Sequence, residues 1–234
     1  MFPIGDENER NGKFPVVTLI LVIINVLVFL YESTLGTRAL ENFIFTYGVI
    51  PVEIEHGKDV FTLLTSMFLH GGLAHVGGNM LFLWIFGDNV ERRFGSLMYL
   101  LFYLGTGLAA SATHIIFNFD STIPSIGASG AISGVLGAYI LMYPTNRVRV
   151  LIGYWLFALP AYMFLGIWFL EQFINGIASL GVQTAQTSGV AVWAHVGGFV
   201  AGALGSLVLR MMVGQPQEGG QVYLRHGQDR RRLQ

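Results

Sequence analysis

The sequence predicts an all-α polytopic membrane protein with six transmembrane helices. Hydrophobic residues make up 53% of the 234 residues and charged residues only 12%, with a mean hydropathy of +0.59. Soluble domains carry charge on about a quarter of their residues. Apolar stretches of spanning length recur between short polar segments, and the basic residues gather on one side of them. With no cysteine, the chain excludes disulfides, thiolate nucleophiles and cysteine metal sites.

A polar tail, residues 1–13, is expected to be mobile and precedes the first predicted span at 14–31. That apolar run is long for the core of a signal peptide, and no small-x-small cleavage site follows it, so an uncleaved span is predicted. Residues 32–74 mix acidic and apolar side chains. The mixture favours a loop that lies partly in the membrane interface, with an amphipathic stretch at 61–73.

The remaining spans are predicted at 75–90, 95–117, 129–143, 148–175 and 190–213, followed by a polar tail at 214–234. Pro160 is expected to kink the fifth span. The fourth span, with about 15 residues, is short for a hydrocarbon core of about 30 Å. Its first residue, Ser129, is therefore expected below the outer surface of the membrane.

The basic residues orient these spans. Eleven of the 13 lysines and arginines lie in the two tails, at the ends of spans two and six, and in the connection between spans four and five. They are Arg10, Lys13, Arg92, Arg93, Arg147, Arg149, Arg210, Arg225, Arg230, Arg231 and Arg232. Only Arg38 and Lys58 lie opposite. Cytoplasmic connections carry excess Lys and Arg, so both termini are predicted to be cytoplasmic.

Two polar residues are predicted at one depth in the membrane. Ser129 lies in a Gly-Ala-Ser-Gly turn at 127–130 and begins span four, while His195 lies a few residues into span six. By itself the serine is more typical of a helix cap than of a nucleophile. A ridge of Ala194, Gly198 and Gly202 facing Gly130 and Gly134 would bring the two helices close. The histidine could then act as general base, or it could only bond between helices.

A third polar cluster opens span two with His70, His75 and Asn79. His75 and Asn79 are four residues apart and share one helix face. Their N–H groups, with the backbone N–H of Ser129, could stabilise an oxyanion, although such residues also bond helices together in lipid. Because no acidic residue lies near Ser129 or His195 in sequence, a Ser–His dyad is favoured over a triad.

These motifs resemble the rhomboid family of intramembrane serine proteases, in its prokaryotic six-span type. The resemblance rests on FLHGGLAHVGGNMLFLW at 68–84, GASG at 127–130 and AHVGG at 194–198, in the family's order. It implies the rhomboid fold over 14–213, Ser129 as nucleophile and His195 as base. It further implies an oxyanion hole of His75, Asn79 and the Ser129 backbone, supported by Gly127, Gly130 and Gly198.

The resemblance has two departures. Many members carry a Trp-Arg pair where this chain has Phe61-Thr62, and many carry an aromatic residue, stacked on the catalytic histidine, where it has Ser133. Orientation of His195 must then come from other contacts. The Glu91-Arg92 pair matches the family's ending of span two, and a structural role at the helix end is expected.

The function implied is hydrolysis of peptide bonds in or near the transmembrane helices of substrate proteins, at the inner (plasma) membrane. Substrates would pass between spans two and five. No cofactor, metal or nucleic acid is expected, and the sequence sets no oligomeric state. Two alternatives stay open. One is a catalytically inactive rhomboid-like scaffold that binds transmembrane helices. The other is a metal protein using His70, His75, His114 and His195, although the chain has no HExxH motif.

Overall fold

The described part of the chain is mostly helical, as predicted. The structure is a computed structural model that describes residues 1–7, 14–179 and 191–213. Its helices are α1 Val16–Thr34, α2 Thr37–Tyr47, α3 Pro51–Glu55, α4 Thr62–Thr65, α5 Leu73–Phe94, α6 Ser96–Phe117, α7 Ser129–Met142, α8 Ala161–Ser179 and α9 Val192–Val213. Its strands are β1 Phe2–Gly5, β2 Arg147–Ile152 and β3 Trp155–Pro160, and a 3-10 turn covers Ser66–Phe68.

Three of the described helices, α1, α6 and α9, are long and apolar enough to cross a membrane. The shorter α7 is also apolar, and α5 carries charged residues in its last turns. Helices α1, α5, α6, α7 and α9 begin and end within a few residues of the predicted spans one, two, three, four and six. The protein is therefore a polytopic membrane protein, as predicted.

Helix α7 is the centre of the bundle. It packs most extensively on α9, and also contacts α5, α6 and α8. Every residue from 130 to 139 is buried, as expected for a helix that is apolar or small on all sides. Ser129, at the start of this helix, therefore lies among neighbouring helices.

The predicted ridge of small residues brings α7 and α9 together. A Cβ atom built on Gly198 would overlap the carbonyl oxygen of Gly130, and one on Gly202 would overlap that of Gly134. Backbones can approach this closely only where side chains are absent. The helices that carry Ser129 and His195 are thus in direct backbone contact.

Residues 148–160 do not form the start of a fifth helix, so that prediction was wrong. β2 and β3 form an antiparallel hairpin, with Arg147 opposite Pro160 and Gly153, at φ +61°, in the turn. Val148 and Val150 are buried, whereas Arg147, Arg149 and Leu151 are exposed, and this alternation is the period of a strand. Pro160 does not kink a helix but ends β3, and α8 begins at the next residue.

The N-terminal segment is also ordered where a mobile tail was expected. β1 pairs with β2, with Phe2 opposite Leu151. Behind it, Asp6 accepts hydrogen bonds from the Asn89 amide and the Tyr139 hydroxyl. Burial raises the pKa of Asp6, and these two hydrogen bonds act in the opposite direction.

Part of the predicted topology lies outside the described residues. This holds for residues 8–13 with Arg10 and Lys13, for residues 180–190, and for the tail at 214–234 with its four arginines. The six-span count and the cytoplasmic termini therefore stay predictions.

Glu91 has the structural role expected at the end of span two. Its carboxylate accepts the backbone N–H groups of Val17 and Thr18 at 2.9 and 2.7 Å, and the hydroxyls of Thr18 and Ser96 at 2.8 and 2.7 Å. The N-terminus of α1 has no side-chain cap of its own, since Pro15 precedes it. Glu91 therefore caps α1 from a neighbouring helix.

The connection between α1 and α5 folds into short helices instead of one loop. Aromatic rings link it, with centroids 5.5 Å apart for Tyr31–Phe43, 4.7 Å for Phe43–Tyr47 and 6.4 Å for Tyr47–Phe61. Thr62 donates its hydroxyl to the Asp59 carbonyl at 2.7 Å. Phe61 and Thr62 thus have packing and turn-forming roles where many rhomboids have Trp-Arg.

Candidate active site

Ser129 lies in the first turn of α7, directly after a turn that requires glycine. Gly127 has φ +127°, and a Cβ atom there would lie 2.8 Å from Nε2 of His75. Its N–H donates to the Ser66 carbonyl at 2.8 Å. Only glycine fits this backbone without strain or collision. The N-cap position of α7 is occupied by Ala128, which has no capping side chain, so Ser129 is the first residue of the helix and not its cap.

The Ser129 hydroxyl instead meets His195. The distance between Ser129 Oγ and His195 Nε2 is 2.8 Å, within the range of a strong hydrogen bond. His195 lies in the first turn of α9 and is only 9% exposed. The structure thus brings together the two residues that the sequence placed at one depth.

The other nitrogen of His195 meets Gln172, which the sequence analysis did not single out. His195 Nδ1 lies 2.8 Å from Oε1 of Gln172 on α8. An amide oxygen can only accept, so Nδ1 carries the proton and Nε2 of the neutral ring is free to accept from Ser129. A glutamine within a predicted membrane span was the signal that could have found it.

An aromatic residue also faces His195, but it comes from α8 and not from α7. The Trp168 ring centroid lies 6.0 Å from that of His195, with the planes inclined by 36°. Trp168 and Gln172 are one turn apart on the same helix face. Ser133, where many rhomboids have an aromatic, donates its hydroxyl to the Ser129 carbonyl at 2.6 Å.

His75 reaches the Ser129 turn from α5. The backbone N–H of Gly71 lies 3.4 Å from Nδ1 of His75, so the neutral ring carries its proton on Nε2. That nitrogen points to Gly127, beside Ser129. His75 can therefore offer an N–H donor to an oxygen held near Ser129.

Asn79 is held by a chain of polar contacts that begins at α1. Its amide Nδ2 lies 3.0 Å from His70 Nε2, and the His70 backbone N–H donates to the Glu32 carboxylate at 3.2 and 3.3 Å. Burial, and then the nearby His75, lower the pKa of His70 to about 4, while a backbone contact at Phe68 acts in the opposite direction. His70 is therefore neutral at physiological pH and can accept from Asn79, which keeps a second amide hydrogen.

A small cavity adjoins Ser129 on its α6 side. Its polar lining includes Ser66, Ser111, His114, Ser125 and Ser129. Hydroxyl and imidazole groups can hydrogen-bond water, so the cavity can hold a water molecule beside Ser129. Within the described ranges, no group of three or more metal-ligating side chains is arranged to hold a metal ion.

Comparisons with known proteins point to one family. The family model described as the Rhomboid domain matches residues 57–212. Rhomboid protease GluP of Bacillus subtilis is 36% identical over 138 residues, 59% of this chain and 26% of that protein. Rhomboid protease AarA of Providencia stuartii is 29% identical over 216 residues, 81% of this chain and 71% of that protein.

A plant relative has similar coverage. The mitochondrial RHOMBOID-like protein 6 of Arabidopsis thaliana is 30% identical over 171 residues, 73% of this chain and 50% of that protein. The chain thus spans about a quarter of the length of GluP and half that of the plant protein.

Proposed function

Because this chain belongs to the rhomboid family, we propose that it is an intramembrane serine endopeptidase with Ser129 and His195 as its catalytic dyad. The observation that carries the proposal is the 2.8 Å contact between Ser129 Oγ and His195 Nε2. A hydroxyl is a weak nucleophile unless a neighbouring base takes its proton as it attacks. The tautomer of His195 set by Gln172 leaves Nε2 available for that proton.

In the acylation step, Ser129 Oγ attacks the carbonyl carbon of the scissile peptide bond. His195 takes the hydroxyl proton on Nε2 and then gives it to the leaving amine, so the C–N bond breaks and an acyl-enzyme ester remains. Water from the cavity beside Ser129 then attacks the ester, with His195 again as base, and frees Ser129. Every proton passes through Nε2.

The oxyanion formed in each step would accept hydrogen bonds from His75 Nε2–H, the Asn79 amide and the Ser129 backbone N–H. His75 is fixed by Gly71, and Asn79 by His70, so both donors are oriented before the substrate binds. Preorganised donors of this kind contribute about 10²- to 10³-fold each to kcat.

Substrates would be transmembrane helices of other membrane proteins that reach the dyad sideways between α5 and α8. Aromatic contacts between these helices, Phe82–Phe164 and Phe86–Phe164, each with centroids 6.3 Å apart, lie toward the hairpin end, away from Ser129. The helix carbonyls of a substrate are already hydrogen-bonded, so the cleaved segment must unwind locally. We place the enzyme in the plasma membrane with six spans and both termini cytoplasmic.

The test is cleavage of a model transmembrane substrate in proteoliposomes, together with fluorophosphonate labelling. Ser129→Ala and His195→Ala are expected to abolish cleavage, and Ser129→Ala to abolish labelling. Ser133→Ala is the matched control, because that hydroxyl donates within its own helix, to the Ser129 carbonyl, and not to His195. Cleavage that persists in Ser129→Ala would refute the serine mechanism. Binding of the substrate helix without cleavage or labelling in the wild type would instead favour a scaffold.

A further inference from the structure

Helix α8 presents one narrow face to the rest of the protein. Ala161, Phe164, Leu165 and Gly176 are its buried residues, and most of the others are exposed. Trp168 and Gln172 continue this inner face toward α9. The outer face is apolar, with Ile167, Leu170 and Ile174 exposed, as expected for contact with lipid. Gln172 is thus a polar side chain on an inward face that is otherwise apolar.

A glutamine in this position needs a partner, and the contact with His195 provides one. The amide oxygen can only accept, and the imidazole N–H can only donate, so the 2.8 Å contact has one consistent assignment of donor and acceptor. Without an acceptor at Nδ1, the neutral ring could carry its proton on Nε2 instead. That tautomer cannot accept from Ser129.

We propose that Gln172 is the positioning residue that holds His195 in its active tautomer, with Trp168 limiting rotation of the ring. Gln172 does not touch the reacting atoms, and it acts through Nδ1 of His195. It takes the place that a carboxylate has in a Ser–His–Asp triad. A neutral amide can orient His195 without placing a charged side chain in the membrane, where an unpaired carboxylate would be costly. This inference rests on the proposed function.

The test compares two replacements of similar length. Gln172→Met keeps the shape and removes the acceptor, whereas Gln172→Glu keeps an acceptor oxygen in the same place. Glu171→Gln, at the exposed neighbouring position, is the control for altering charge on α8. Each variant is purified in detergent. Thermal unfolding is measured first, then kcat and KM for a transmembrane substrate, then the rate of fluorophosphonate labelling.

Gln172→Met is expected to lower kcat and the labelling rate at least about 10-fold, with KM unchanged. The loss cannot exceed the roughly 10²- to 10⁴-fold that a general base contributes. Gln172→Glu is expected to recover most of the labelling rate, and Glu171→Gln to match the wild type. A merely structural glutamine would change the unfolding temperature without this pattern of rescue.

Two results would overturn the inference while the serine mechanism stands. One is a Gln172→Met enzyme that labels and cleaves like the wild type. The other is an equal loss in Gln172→Met and Gln172→Glu with unchanged unfolding temperatures, because an acceptor oxygen would then be irrelevant. A wild-type protein that is not labelled at Ser129 would instead refute the dyad itself, and the role of Gln172 with it.

Discussion

Replacing Gly202 by alanine is expected to lower activity sharply, although this residue lies about two turns from His195. The added methyl group would overlap the carbonyl oxygen of Gly134 on the facing helix. Both atoms belong to rigid parts of the chain, a backbone carbonyl and a Cβ, so neither can turn aside. Helix α9 must therefore move away from α7, and it carries His195 with it.

The size of the effect follows from the geometry of the dyad. Relief of the overlap requires a movement on the order of 1 Å, and such a misplacement of a catalytic group costs about 10²-fold in rate. The same movement would stretch the 2.8 Å contact of Ser129 and His195 past the usual hydrogen-bond limit of about 3.2 Å. Overpacking of this kind costs about 1–3 kcal/mol in stability.

The assay measures kcat on a transmembrane substrate and the free energy of unfolding in detergent, for Gly202→Ala and for a matched control. Gly166→Ala on α8 is that control, because nothing lies within 4 Å of a Cβ atom there. We expect Gly166→Ala to be close to the wild type in both measurements. A Gly202→Ala enzyme with full activity would show that close contact between α7 and α9 is not what places His195.

Three further outcomes are expected. Glu91→Gln should lower the free energy of unfolding by about 1–3 kcal/mol, because the charged cap on the Thr18 N–H is lost; thermal unfolding in detergent measures this. Gly127→Ala should reduce kcat with less effect on the fold, because the new Cβ would press on His75 and strain a backbone at φ +127°. The contribution of His70 to the free energy of unfolding should fall as pH drops from about 6.5 toward 4, because His70, with its pKa lowered to about 4, stays neutral in the fold while the unfolded chain binds the proton. His70→Gln should flatten that slope in unfolding measurements across the same pH range.

The helices of this protein could be predicted from sequence because lipid imposes a simple rule. A span must be apolar and long enough, and α1, α6 and α9 satisfy both conditions. The small-residue ridge could be predicted for a related reason. Helices without bulky side chains can approach closely, and Gly130 and Gly134 have the spacing to face Gly198 and Gly202.

The hairpin was missed because hydropathy alone does not distinguish a strand from a helix. Residues 148–160 are apolar and run directly into α8, so a hydropathy count extends the span through them. The alternation of Arg147, Val148, Arg149 and Val150 has the period of a strand and could have separated the two. The pairing of β1 with β2 could not be predicted from local sequence, since β1 comes from the other end of the chain.

Gln172 and Trp168 were missed because their role depends on how α8 is rotated against α9. The sequence shows that two residues share one helix face, but it does not show which neighbouring helix that face contacts. The same limit explains Ser133. Comparison with the family predicts an aromatic on α7 at that position, whereas here the ring that faces His195 comes from α8, in the form of Trp168.

The contact of Gln172 with His195 would restrict how a substrate reaches the proposed dyad. If α8 swings aside to admit a helix, it must not draw Gln172 away from His195. Helix α8 contacts α9 between Trp168 and Gly176. Trp168 and Phe169 pack against Phe199, with centroids 6.1 and 4.6 Å apart, and Gly176 lies beside Trp193. Its aromatic contact with α5 lies toward the hairpin. If His195 is to stay oriented, α8 must therefore separate from α5 while its contacts with α9 are kept.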